Sequence, residues 1–190
     1  MPAKTKAIVN GKNNVDGLDG LDTATATQLS GRGICSGITS AWILALLNGV
    51  DDAGGDPDAN TFVKYFNEVL RFQGAYLKEE GGRADHFFGE MNARGFDTQI
   101  GQGKIISVDR LTSAALPGDA RWGAYVSLWG HAIGMAVYDG RFFLMDPNTG
   151  LLEYEDKDAM LDSFGKGAEA QRKSKKKAAT DKMTLQFFTP

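Results

Sequence analysis

The first half of the chain carries apolar residues at helical spacing. Between Ile34 and Leu47 they recur at steps of three and four residues, which predicts a largely buried helix. The same spacing predicts a second helix over about 60–80 and a third, short helix over about 85–94, each followed by glycine. Residues 1–30 are polar and lack a sustained period, so we expect an N-terminal arm or loop there.

The second half of the chain changes to the period of β-strands. Stretches that alternate or run apolar predict strands over residues 104–109, 123–129, 132–138, 141–146 and 183–188. A short helix is predicted over about 156–166. Helices first and antiparallel strands second are typical of a segregated α+β domain.

Length and charge narrow the class of protein. The 190 residues favour one domain over two, so we expect a single domain over 31–190 behind the arm. With 21 basic and 24 acidic side chains the net charge is −3, which argues against a nucleic-acid partner. No apolar run approaches the ~20 residues that span a bilayer, and the first residues lack the apolar core of an ordinary secretory signal peptide.

The cysteine and histidine content limits the chemistry. One cysteine excludes an internal disulfide framework and multi-cysteine zinc sites, and two histidines leave little for a metal centre. No metal or organic cofactor is therefore expected. A lone free thiol also suits a protein that works in a reducing cytosol.

The single cysteine lies where a glycine-rich loop meets the most apolar predicted helix. In the first turn of a helix, Cys35 would feel the positive end of the helix dipole and the free backbone N–H groups, which favour the nucleophilic thiolate. Gly33 and Gly37 keep bulk away from the sulfur, so both are candidates for a substrate groove. The alternative is an inert, buried cysteine with a structural role.

A predicted hairpin brings a histidine and a carboxylate together. With Asp139-Gly140 as a two-residue turn, Ile133 lies opposite Asp146, and His131 becomes the diagonal neighbour of Asp146. Their face of the hairpin is otherwise apolar, so it should point into the protein. Asp146 could then fix the tautomer of His131 and leave its other ring nitrogen for a thiol. Alternatively, His131 merely starts a strand and Asp146 merely opens a turn.

Three short motifs follow one another along the chain: Gly33-Ile34-Cys35-Ser36-Gly37 followed by Trp42, then Gly130-His131-Ala132, then Asp146-Pro147-Asn148-x-Gly150. Their order and the short gap from histidine to aspartate resemble the YopT-type cysteine proteases (peptidase family C58), papain-like enzymes found among injected bacterial virulence effectors. The resemblance implies Cys35 as nucleophile, His131 as general base and acid, and Asp146 as the residue that orients His131. It also implies a papain-like fold in which the cysteine helix packs against an antiparallel sheet.

Papain-like enzymes also place an oxyanion donor before the cysteine. Gln28 has the right amide chemistry and, with the backbone N–H of Cys35, is the candidate oxyanion hole. Trp129, beside the histidine motif, is a further candidate for the substrate groove, although core packing would explain it equally well. His86 is the rival base, but no glycine-bearing or carboxylate-bearing hairpin surrounds it.

The resemblance therefore implies a cysteine protease that cleaves a protein in the cytosol of a target cell, as an effector or toxin secreted without an ordinary signal peptide. The same residues would also support a papain-like transglutaminase or deamidase, or a peptidoglycan amidase toxin. A binding module with a structural Cys35 is the non-enzymatic alternative. The basic stretch Arg172–Lys177 is expected to be a solvated loop, or else a peripheral contact with anionic lipid or an acidic partner.

Overall fold

The architecture is seen in a computed structural model that describes residues 4–7, 35–47, 72–73, 104–118 and 120–189. Within these ranges the elements are β1 (Lys4–Ala7), α1 (Cys35–Leu47), β2 (Lys104–Ile106), β3 (Trp122–Ser127), β4 (Ala132–Tyr138), β5 (Arg141–Asp146), β6 (Gly150–Tyr154), α2 (Lys157–Ser174) and β7 (Met183–Phe188). Two short 3₁₀ turns, Val108–Arg110 and Ser113–Ala115, lie between β2 and β3.

The strands form one sheet of seven in the order β1-β6-β5-β4-β3-β7-β2, and every neighbouring pair is antiparallel. The strands predicted over 132–138, 141–146 and 183–188 are confirmed, and the one predicted over 123–129 is β3. The strand predicted over 104–109 is shorter, because the chain turns into a 3₁₀ helix at Val108.

Two neighbouring strands at one side of the sheet, β6 and β1, were not predicted. The strand β6 follows a tight turn directly after β5, and its five residues are too few for a clear alternation. The strand β1 falls inside the predicted N-terminal arm and pairs with β6. Its four residues therefore correct the prediction of a loop for that part of 1–30. The rest of the arm lies outside the described residues.

The cysteine helix α1 is buried along almost its whole length, as its spacing predicted. Every residue from Ser36 to Leu47 is buried, while Cys35 at its start remains partly exposed. The helix packs on β3 and β4, and the Thr39 hydroxyl donates to the backbone oxygen of Ala132 at 3.2 Å. Of the helix predicted over 60–80, Phe72 and Gln73 are described and are helical. The helix predicted over 85–94 lies outside the described residues.

Helices cover both faces of the sheet. One alternating set of strand residues joins the core under α1: Ala132, Ala136, Phe143 and Met145. The other set joins a second core that includes α2 residues: Ile133, Met135, Val137, Phe142, Leu144, Met160, Phe164 and Ala168. An antiparallel sheet commonly leaves one face to water, but here both sets are apolar. The face that the sequence predicted to point inward is buried, yet it lies under α2 and not under the cysteine helix.

The helix α2 is longer than the helix predicted over about 156–166. It begins after Asp156, whose carboxylate accepts the N–H of Ala159 at 2.6 Å, and such a cap satisfies one of the free donors of the first turn. It continues past residue 166 to Ser174, and in its last turns Arg172 forms a paired hydrogen bond with Glu169 at 2.7 and 2.6 Å, a contact that adds a little to helix stability. No helix in the described ranges is long and apolar enough to cross a membrane.

The basic stretch is thus half helix and half loop, which corrects the prediction of a solvated loop. Arg172 is held by Glu169 and by the backbone oxygen of Lys177. Lys173 and the three lysines from Lys175 to Lys177 are exposed, and a positive charge at a helix C-terminus is favourable. Contact of these lysines with a membrane or an acidic partner stays a prediction.

Candidate active site

Cys35 occupies the first residue of α1, at the positive end of the helix. The side chain of His131 and the backbone N–H groups of Ala132 and Ser36 are the neighbours that lower the pKa of its thiol. The sequence predicted the helix position, whereas the contact with Ala132 depends on how α1 docks on β4. Three donors around one sulfur are the surroundings that favour a thiolate over a thiol.

His131 is held on the last rung of the hairpin between β3 and β4. The backbone N–H of Leu128 donates to the oxygen of His131 at 2.7 Å, and the return bond measures 3.0 Å. The two turn residues, Trp129 and Gly130, both have positive φ, 48° and 88°. Gly130 adopts this conformation freely, but it costs a tryptophan on the order of 1 kcal/mol. The strand predicted over 123–129 runs two residues into this turn, because Trp-Gly is not a usual turn signal.

Asp146 lies against His131 as the hairpin register predicted. The pairs from Tyr138↔Arg141 to Gly134↔Met145 are those expected for an Asp139-Gly140 turn. The carboxylate Oδ1 of Asp146 stands 2.8 Å from Nε2 of His131. Since Nε2 is taken by the carboxylate, Nδ1 is the nitrogen left for the thiol of Cys35.

The three ionisable groups shift one another's pKa values toward an ion pair. Burial of Cys35 opposes ionisation, but the side chain of His131 and the N–H groups of Ala132 and Ser36 outweigh it and hold the pKa of the thiol below its ordinary value. Burial likewise disfavours a charged His131, yet its hydrogen bonds to Asp146 and Cys35 raise its pKa from 6.5 to about 9. Asp146 is also desolvated, and its hydrogen bonds to His131 and to the N–H of Asn148 lower its pKa. A thiolate, an imidazolium and a carboxylate are the forms this arrangement favours.

The turn after Asp146 adds a fourth side chain to the cluster. Asn148 donates its backbone N–H to Asp146 Oδ1 at 2.9 Å, and its side-chain amide stands 3.3 Å from His131 Nε2. The N–H of Thr149 closes the turn on the oxygen of Asp146 at 3.0 Å. The sequence pointed to Asp146-Pro147-Asn148-x-Gly150 as a turn and as one motif of the family resemblance, but it gave no sign that the amide reaches the histidine.

Two buried contacts fix the start of α1 and had no sequence signal. Gly37 donates its N–H to Oε1 of Gln73 at 2.9 Å, so a side chain satisfies one of the free donors of the first turn. The hydroxyls of Ser36 and Tyr125 lie 2.8 Å apart and join α1 to β3. Both partners are distant in the sequence, and their pairing follows only from the docking of α1.

The other residues that the sequence proposed for the site are those of the oxyanion hole, the substrate groove and the rival base. Gln28, Gly33 and His86 lie outside the described residues. Gly37 is buried within the first turn of α1, and Trp129 packs, partly buried, against the core under α2. Within the ranges that the structure describes, no group of three or more histidine, cysteine or acidic side chains is placed to hold a metal ion.

No protein-family model and no curated protein matches the chain in sequence. Among solved structures it is similar to the Pseudomonas avirulence protein AvrPphB, with a TM-score of 0.56 at 16% identity, over 86% of this chain and 95% of that one. It is also similar to PatoxP, a cysteine protease-like domain of the Photorhabdus asymbiotica toxin PaTox, with a TM-score of 0.47 at 13% identity, over 85% of this chain and 50% of that one. The likeness to AvrPphB shows a shared fold, and it confirms the α+β architecture in which the cysteine helix packs against an antiparallel sheet.

Proposed function

We propose that this chain is a cysteine protease of the YopT type, with Cys35, His131 and Asp146 as its catalytic residues. The observation that carries the proposal is the 2.8 Å hydrogen bond between Nε2 of His131 and Oδ1 of Asp146, beside a Cys35 thiol whose pKa the same histidine lowers. The residues come from three separate elements, α1, the β3–β4 turn and the end of β5. A structural cysteine would not require a histidine and a carboxylate lined up behind it.

The proposed reaction has two halves. The Cys35 thiolate attacks the carbonyl carbon of a peptide bond, and the backbone N–H of Cys35, with Gln28 as the candidate second donor, stabilises the oxyanion. The imidazolium of His131 gives its Nδ1 proton to the leaving amine, and a thioester remains on the sulfur. Water then attacks the thioester while His131 accepts its proton, which releases the new carboxyl end and restores the thiolate.

In this proposal Asp146 orients His131 and does not exchange its proton. A carboxylate that accepts Nε2–H holds the ring in the tautomer that offers Nδ1 to the sulfur, and it stabilises the imidazolium. The surroundings fit this role, because Asp146 accepts from both Nε2 of His131 and the N–H of Asn148. Its lowered pKa keeps it ionised at neutral pH.

We further propose that the substrate is a protein in the cytosol of a target cell and that the chain acts as a bacterial effector or toxin. The fold shared with an avirulence protein supports a delivered enzyme. A single free cysteine suits the reducing compartment in which such an enzyme would act.

The experiment compares the protein with its Cys35→Ala variant in an extract of target-cell cytosol. Proteome-wide labelling of new N-termini should find cleaved proteins with the unaltered chain and none with the variant. Intact proteins that carry the mass change of a deamidated glutamine, or an amine joined to glutamine, would contradict proteolysis and indicate the deamidase or transglutaminase. Lysis of cells that receive the protein in the periplasm would indicate the amidase.

A further inference from the structure

Asn148 contacts two members of the proposed triad but has no role in the reaction proposed above. Its backbone N–H donates to Oδ1 of Asp146, and its side-chain nitrogen Nδ2 stands 3.3 Å from Nε2 of His131, a place that the amide oxygen Oδ1 takes when the amide is turned by half. The turn that carries it is closed by the N–H of Thr149 and by Gly150, whose φ of 114° favours glycine. The amide is therefore held beside the histidine by the backbone of a fixed turn.

The charge state of His131 decides whether the oxygen or the nitrogen of the Asn148 amide can form a hydrogen bond with Nε2. An imidazolium has two N–H donors and no acceptor. A donor NH₂ group gains nothing beside Nε2–H, whereas the amide oxygen can accept it, and a half turn of the amide exchanges the two ends. Because the pKa of His131 is raised to about 9, the charged ring is the form present at neutral pH.

We propose that Asn148 is a positioning residue for His131. The side-chain oxygen of Asn148 is a second acceptor for Nε2–H of His131, beside the carboxylate of Asp146. The inference rests on the proposed function, in which His131 works as an imidazolium. The single carboxylate oxygen Oδ1 already accepts two N–H groups, one from His131 and one from Asn148. A neutral acceptor beside it limits rotation of the ring and stabilises its charge without adding a second negative group.

The test measures the histidine directly and does not depend on a known substrate. The ring of His131 is titrated by NMR, with His86→Ala to assign its signals, and alkylation of Cys35 by iodoacetamide is followed across pH. The groups that share hydrogen bonds with the ring are Cys35, Asp146 and Asn148, and the first two remain unaltered. Asn148→Ala should lower the pKa of His131 by about one unit or more, the scale of one lost hydrogen bond to a charged partner.

The matched variants separate positioning from a structural role. Asn148→Asp can only accept, and its added negative charge also favours the imidazolium, so the pKa of His131 should stay raised or rise further; aspartate also suits the turn. Thr149→Ala alters the same loop without changing a side chain that contacts His131, and it should leave the titration unchanged. An unshifted titration in Asn148→Ala, or loss of the raised pKa in Asn148→Asp, would overturn the inference.

Peptide turnover adds an independent readout. In Asn148→Ala the bell-shaped dependence of kcat/KM on pH should narrow, because the alkaline limb follows the imidazolium and the acid limb follows the thiolate. A lower rate with an unshifted profile would mean a structural role and would count against positioning. If the unaltered chain cleaves no peptide, the proposed function fails, while the NMR titration still decides the role of Asn148.

Discussion

The indole of Trp42 on α1 lies where a side chain at Gly134 on β4 would stand. A Cβ at position 134 would be 2.6 Å from Cζ3 and 2.8 Å from Cε3 of that ring, closer than carbon atoms approach in proteins. Trp42 is 1% exposed, so it has little room to move away. The missing side chain of Gly134 therefore lets the helix that bears Cys35 dock directly on the strand that follows His131.

The first prediction concerns this contact. Gly134→Ala should destabilise the protein by about 1–3 kcal/mol, the usual cost of overpacking a core, and should reduce activity by moving α1. Gly167→Ala on α2 is the control, because a Cβ at position 167 has no neighbouring atom within 4 Å. Alanine is the better helix former, so Gly167→Ala should stabilise by about 0.5–1 kcal/mol. Denaturant unfolding of both variants checks the signs, and equal effects would contradict the packing argument.

The second prediction concerns the thiol of Cys35. Because His131 and the N–H groups of Ala132 and Ser36 lower its pKa, alkylation by iodoacetamide should have its midpoint well below the ~8.5 of a free thiol. The protein unfolded in denaturant serves as the control and should show the ordinary midpoint. His131→Ala should move the folded midpoint upward. A folded midpoint at or above that of the unfolded chain would rule out Cys35 as the nucleophile.

The third prediction separates the roles in the proposed triad. Asp146→Ala removes the acceptor of Nε2–H and should cost roughly 10²–10⁴-fold in turnover, the scale of positioned acid–base catalysis. Asp146→Asn should retain measurable activity, because an amide oxygen can accept the same N–H. His131→Ala should be at least as severe as Asp146→Ala, whereas His86→Ala should be nearly neutral.

Turnover of these four variants is compared after circular dichroism and thermal melting have shown that each is folded. Full activity in Asp146→Ala together with an inactive His86→Ala would place the site elsewhere.

The fourth prediction concerns the pH dependence of stability. The pKa of His131 is raised from 6.5 to about 9, so its contribution to folding is full below pH 6.5 and is lost as the pH rises toward 9. The pKa of Asp146 is lowered from 3.8, so its contribution is present above that value and is lost as the pH falls through the folded pKa. The Tm difference between the unaltered chain and Asp146→Asn should therefore be largest between about pH 4 and pH 6.5. A difference that stays constant up to pH 10 would show that the pair is not ionic.

Local patterns were enough to predict most of the hairpin that carries the proposed site. A two-residue Asp139-Gly140 turn allows one register, and that register alone places His131 diagonal to Asp146. The helix that begins at Cys35 was likewise evident from its spacing. In each case the information lies within a few residues of the feature, because turn geometry and helical period are local properties of the backbone.

How α1 packs against the hairpin of β4 and β5 was decided by the tertiary structure. Both alternating sets of residues on β4 and β5 are apolar, so the sequence could not tell which face α1 would cover, and the expected inward face lies under α2. The contact of Cys35 with His131, and that of Gly37 with Gln73, depends on that choice. Hydrophobic burial is non-directional, so apolar periodicity determines that a face is covered. Which helix covers a given face depends on complementary shape between residues far apart in the chain. Here Trp42 of α1 fits against Gly134 of β4.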